Sequence, residues 1–124
     1  MSAHSSVSQV IRKCYAAYQA GDRGAIEPLL SEDFTFTSPL DDHIDRAAYF
    51  SKCWPNSEHI RAFTIEKLFE RGNEAFVLYE LHPTNGDSFR NTEFFKLRGD
   101  KICEVQVFFG AKVGAVWGRA GAKN

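Results

Sequence analysis

The sequence predicts an α+β domain in which an antiparallel sheet carries helices on one face. Three observations predict it. Apolar residues recur at helical spacing through residues 7–18. From residue 59 onward the chain instead alternates apolar and polar residues, in four segments separated by short turns. A single alternating segment, 34–38, stands between two further helical stretches. Helices followed by a run of hairpins give a layered α+β architecture. Three helices cover only one face of a five-stranded sheet, so the other face is expected to meet solvent or a second subunit.

The first helix is expected over 6–20, with Val7, Val10, Ile11, Cys14 and Tyr18 on its buried face. Ser6 and Gln9 have the spacing of a capping box. Gly21 stops this helix and Asp22 can begin the next. Ala25, Ile26, Leu29 and Leu30 suggest a short second helix that Pro28 limits, because proline lacks the N–H a helix interior needs. The strand at 34–38 ends at Pro39, and 40–44 reads as a polar loop. Asp45 can cap a third helix running to about Trp54, where Pro55 blocks continuation. Strands follow at 59–69, 75–82, 89–98 and 102–110. Asn85 and Gly86 supply one turn signal, and Gly99 with Asp100 another. Phe63, Ile65 and Phe69 share a face of the first of these strands. In the last, Val105, Val107 and Phe109 share one face and Glu104, Gln106 and Phe108 the other.

The 124 residues suit a single domain, 1–124, with its core at about 7–110 and a glycine-rich tail at 111–124. A net charge of -1 argues against a strongly basic nucleic-acid binder. No apolar run reaches the roughly 20 residues that span a bilayer, so no membrane partner is expected. The polar start, 1–8, lacks the apolar stretch of a signal peptide, which points to the cytoplasm. Cys14, Cys53 and Cys103 are far apart and odd in number, so neither a disulfide framework nor a zinc site is suggested. Hydrolase, P-loop and dinucleotide-binding glycine motifs are absent.

Several stretches look like the SnoaL-like branch of the nuclear transport factor two-like superfamily. They are 18–22 (Tyr-Gln-Ala-Gly-Asp), 25–30 (Ala-Ile-Glu-Pro-Leu-Leu), Ser31 to Phe34 leading into Phe36, Thr37, Ser38 and Pro39, and the closing 95–102 followed by 105–109. The resemblance covers about 7–110. It implies a cone, a strongly bent sheet wrapped around three helices with a pocket inside, and a homodimer formed through the outer sheet face, which suits Phe108. Its relatives include ketosteroid isomerase, polyketide cyclases and scytalone dehydratase, so the fold does not fix a reaction. Ketosteroid isomerase uses an Asp base with a Tyr and a protonated Asp as oxyanion hole. By alignment the base falls at Ser38, the tyrosine at Cys14 and the protonated acid at Glu93. A hydroxyl at Ser38 cannot abstract a proton as a carboxylate does.

The candidate site residues follow from these patterns. Strand alternation sets Glu93 beside Asn91, Phe95 and Leu97. If that face lines the pocket, desolvation raises the carboxyl pKa and makes Glu93 an acid or hydrogen-bond donor. Otherwise it is a surface or dimer-interface glutamate balanced by Lys96 or Arg90. Asp41, Asp42 and His43 offer a carboxylate beside a histidine near the pocket mouth, with Asp41 or His43 as the second catalytic group, or else they form a solvated acidic loop. Tyr15, Tyr18, Phe50 and Trp54 are expected as walls, joined by Tyr79, Asn91, Phe95, Val107 and Phe109. Which of Tyr79 and Glu80 faces inward stays open. His4, His59 and His82 have no convincing partner, and no metal spacing is present. The expected function is binding of an apolar or aromatic small molecule, with isomerisation, dehydration or cyclisation by acid–base chemistry and no cofactor. The alternative is a non-catalytic binding or dimerisation module.

Overall fold

In a computed structural model, which describes residues 6–112, helix α1 spans Val7–Ala20. Its capping box forms as the sequence predicts. The Gln9 N–H donates to Ser6 Oγ at 3.1 Å, and the Ser6 N–H donates to Gln9 Oε1 at 2.9 Å. Gly21, at φ 66°, adopts the left-handed conformation that ends the helix. Asp22 then caps α2, Arg23–Ile26, by accepting from the Ala25 N–H. Pro28 sits in a 3₁₀ turn, Glu27–Leu29, that delivers the chain into β1, Leu30–Ser38.

The stretch expected as a polar loop is instead strand β2, Asp41–Asp45, paired antiparallel with β1. It lies at the sheet edge and pairs on one side only, so its side chains are largely solvated and carry no alternation. The Asp45 carboxylate caps α3, Arg46–Lys52, by accepting from the Ala48 N–H at 2.9 Å. That helix is shorter than predicted. Residues Trp54–His59 tighten into a 3₁₀ helix with Pro55 in its first turn, which a proline tolerates. Then come β3, Ile60–Arg71, β4, Glu74–Pro83, β5, Phe89–Arg98, and β6, Lys101–Lys112.

Among the described residues the sheet has six strands, not five, in the order β2-β1-β6-β5-β4-β3, and it is curved and mixed rather than wholly antiparallel. The exception is the parallel pairing of β1 with β6. Such a pairing joins remote segments and leaves no local signal. Register shifts interrupt β3 and both neighbours of β6, and bulges of this kind bend a strand and increase its twist. One falls between Ile65 and Lys67, where Glu66 is the extra residue. It reverses the face of all that follows. Leu68 packs on the core and Phe69 turns outward, 70% exposed, against the alternation expected for Phe63, Ile65 and Phe69.

The helices cover the concave face, over a core that includes Ile11, Ile26, Phe34, Val77, Phe95, Leu97 and Ile102. Among the described residues no element covers the convex face. There Phe69, Phe76 and Phe94 fall in register across β3, β4 and β5, and Leu78, Thr92 and Phe108 make the next row. Phe76 and Phe94 touch at 5.2 Å between ring centres. The expectations for His4 and for the tail beyond residue 112 lie outside the described residues.

Candidate functional site

A cavity of about 520 Å³ lies between α1, α3 and the concave face of the sheet. It has the size and the largely apolar lining of a small-molecule pocket. Aromatic rings make much of its wall, among them Tyr15, Tyr18, Phe34, Tyr49, Phe63, Tyr79 and Phe95. Tyr15 is the hub. Its ring meets Phe63, Tyr79 and Phe95 edge to face, with centroids 5.0, 5.1 and 5.9 Å away. The cavity opens to solvent beside Leu40, Lys52, Asn56 and His59, which line it and are exposed.

Glu93 projects into this aromatic chamber from β5. The Tyr15 hydroxyl donates to its Oε1 at 2.5 Å, and the Tyr79 hydroxyl bonds the same carboxyl. Burial pushes the Glu93 carboxyl up to about 7, although both hydroxyls favour the anion and pull the other way. Burial and the nearby Glu93 charge hold Tyr15 and Tyr79 well above the ordinary phenol range, so both stay protonated. Cys14 lies alongside, its thiol raised first by burial and then by Glu93. It packs as a small apolar group. The tyrosine that faces Glu93 is therefore Tyr15, one residue after the position that alignment on Gly21 suggests. Asn91 is buried beside Tyr79, which settles that Tyr79 and not Glu80 faces inward.

The other expected residues divide. Tyr18 lines the cavity, but its hydroxyl donates to the Cys53 carbonyl at 2.8 Å. Phe95, Val107 and Phe109 line it too, Phe109 at the edge and 53% exposed. Asp41 also lines the cavity, directly across the β1–β2 hairpin from Ser38. His43 does not. Its backbone is left-handed, φ 52°, with the N–H held by Thr37 Oγ1, and its Nδ1 pairs with the Asp42 carboxylate at 2.7 Å in solvent. Of the two expected second groups, Asp41 therefore lies inside, and His43 is corrected to a place outside the cavity, beside Asp42.

Phe50 and Trp54 are corrected as well, because neither lines the cavity. Trp54 buttresses Tyr18 from behind, at 5.1 Å, and Phe50 packs on Tyr49 and Trp54. The Arg23 and Arg46 guanidinium groups lie over the Phe50 ring at 4.3 and 5.3 Å. The inward aromatic of α3 is Tyr49, which sequence reasoning missed. Its signal was the spacing to Cys53, four residues on, since both are buried and line the cavity. Among the described residues no three His, Cys, Asp or Glu side chains converge as metal ligands.

A family model for the SnoaL-like domain matches residues 11–105. The chain belongs to the SnoaL-like family. No curated protein matches its sequence significantly. Solved structures share the fold at low identity. An NTF2-like protein of unknown function from Cytophaga hutchinsonii is 21% identical, over 88% of this chain and 94% of that one, with a TM-score of 0.72. A protein of ketosteroid isomerase-like fold from Catenulispora acidiphila, solved with trimethylamine, is 16% identical over 82% and 85%, with a TM-score of 0.67. A de novo designed protein with a curved β-sheet is 17% identical over 83% and 84%, at 0.72. No helix among the described residues is long and apolar enough to cross a membrane.

Proposed function

We propose that this SnoaL-like domain binds a compact apolar or aromatic molecule carrying a carbonyl group, and acts on it by cofactor-free acid–base chemistry. The observation that carries the reading is a carboxyl group enclosed by aromatic rings, held by two phenol hydroxyls and half-protonated near neutral pH. In its protonated form Glu93 donates a hydrogen bond to the ligand carbonyl. Asp41 serves as the base in place of the hydroxyl at Ser38. It takes a proton from the carbon next to the carbonyl. The C–H electron pair forms a carbon–carbon double bond, and the carbonyl π pair moves onto the oxygen that Glu93 holds. In a β,γ-unsaturated ligand, return of the proton from Asp41 to the γ carbon gives the conjugated isomer and restores the carbonyl. Where the β carbon carries a hydroxyl, that group leaves with the proton from Asp41 as water, and the oxygen electrons re-form the carbonyl beside the new double bond. The apolar wall of Phe63, Phe95 and Val107 holds the body of the molecule.

The second reading is a non-catalytic binding module, favoured by Ser38, which stands where ketosteroid isomerase has its carboxylate. Native mass spectrometry of the purified protein decides whether a small molecule is carried. Turnover of that molecule, lost in Asp41→Asn, supports the enzyme. Binding without turnover supports the module, a ligand without a carbonyl overturns the enzyme reading, and the absence of any bound small molecule overturns both.

A homodimer through the convex face belongs to the same proposal. Leaving the Phe69, Phe76 and Phe108 surfaces in water costs about 25 cal/mol per Å² of apolar area. The proposed setting is the cytoplasm, checked by cell fractionation.

A further inference from the structure

We infer that Asn91 is a positioning residue, which fixes the direction of the Tyr79 hydroxyl so that its proton points at Glu93. The inference rests on Glu93 being the polar group of the site. Asn91 is 4% exposed, and both ends of its amide are engaged. Its Oδ1 accepts from the Gly110 backbone N–H at 3.1 Å, and its Nδ2 lies 3.2 Å from the Tyr79 hydroxyl oxygen.

The chemistry of the partners dictates the direction of every bond in this chain. A backbone N–H can only donate, so the amide oxygen of Asn91 must face Gly110. The NH₂ group must then face Tyr79, and it too can only donate. The Tyr79 oxygen is therefore an acceptor toward Asn91, and its own proton is left for Glu93. Tyr15 donates to Glu93 from α1. With two donors turned toward it, a protonated Glu93 presents its own proton to the cavity.

The anchor depends on an unusual approach of two strands. Gly110 lies where the β5–β6 register shifts, between Phe89 and Asn91. A Cβ built there would fall 2.0 Å from the Arg90 carbonyl oxygen, so only glycine lets β6 come close enough for its N–H to reach the Asn91 side chain. The titratable groups around Glu93 come from α1, α3 and β4: Cys14, Tyr15, Tyr18, Tyr49 and Tyr79. All five are raised and neutral near pH 7, so no cation among them competes for the carboxyl.

The test is the titration midpoint of the Glu93 side-chain carboxyl carbon, followed by NMR without ligand. It is read in the unaltered protein, in Asn91→Leu, in Tyr79→Phe and in the double variant. Freed from Asn91, the Tyr79 hydroxyl turns away part of the time. The Asn91→Leu midpoint should then rise by up to about one pH unit, as a carboxylate loses a donor. In the Tyr79→Phe background the same change should leave the midpoint where it is. An equal rise in both backgrounds, or none in either, overturns the inference.

Asn91→Asp covers the case in which Asn91→Leu fails to fold. Its carboxylate still accepts from Gly110 and now draws the Tyr79 proton, so the midpoint rises further. Part of that rise must vanish with Tyr79→Phe, and a rise of equal size there overturns the inference. Because no ligand is present, failure here is separate from failure of the proposed function, which ligand binding alone decides.

Discussion

Glu93 offers a stability test that needs no substrate. Folding lifts its carboxyl from 4.5 to about 7, and unfolding returns it to the ordinary value. A group raised in this way holds its proton more tightly in the native state. Its contribution is complete below pH 4.5, falls as the pH rises, and is lost above about pH 7. At 1.36 kcal/mol per pH unit the interval is worth about 3 kcal/mol. That figure is an upper value, because Glu93 touches the cavity and water there screens part of the penalty. Glu93→Gln keeps the shape and removes the titrating proton. Urea unfolding of both proteins at about pH 4 and about pH 8 isolates the effect, since every other group cancels in the difference. Between the two conditions the balance should move toward Glu93→Gln by about 2–3 kcal/mol. A difference that stays constant with pH would refute the argument that burial controls this carboxyl.

Further outcomes follow from geometry elsewhere. Gly110→Ala must push β6 away from the Arg90 carbonyl, and should cost about 1–3 kcal/mol in chemical denaturation; an unchanged midpoint would contradict the close approach. Phe108→Asp places a charge on the convex face and should weaken the proposed dimer roughly thirtyfold or more, about 2 kcal/mol, by analytical ultracentrifugation. A monomer at micromolar concentration before any substitution defeats the dimer itself. Burial pushes the Cys53 thiol up to about 11 and holds Cys14 above its ordinary range, so both should react with a disulfide reagent at pH 8 at least about tenfold more slowly than a free thiol. Stoichiometric zinc in elemental analysis, or an intramolecular disulfide under non-reducing conditions, would contradict the reading of the three cysteines.

What was legible in the sequence was whatever local rules encode. Ser6, Gly21, Asp22 and Asp45 announce helix ends through their own side chains or backbone, and all four act where expected. Glu93 was legible because β5 pairs with β4 without a register shift, which keeps Asn91, Glu93 and Phe95 on one face. The errors arose where one residue changes the phase. The extra residue at Glu66 turned Phe69 outward. On α3 the reading placed the pocket wall at Phe50 and Trp54, one step around the helix from Tyr49 and Cys53. The strand at Asp41–Asp45 was invisible because its partner lies on one side only, and with it went the placement of Asp41 opposite Ser38. The Gly110–Asn91 bond depends on a register shift between strands, which neither strand encodes alone.

The position of β6 in the sheet has a consequence for synthesis. Among the described residues it is the last strand in chain order, yet it lies between β1 and β5. Until it emerges from the ribosome, the nascent chain holds two separate pieces, a β1–β2 hairpin and a β3–β4–β5 meander, each with an edge awaiting the same partner. Val105 and Val107, which complete the cavity wall, arrive in that final segment. Closure of the sheet is therefore deferred until β6 is made, and any chain that stops before Lys101 leaves the β1 and β5 edges open to pairing with other chains.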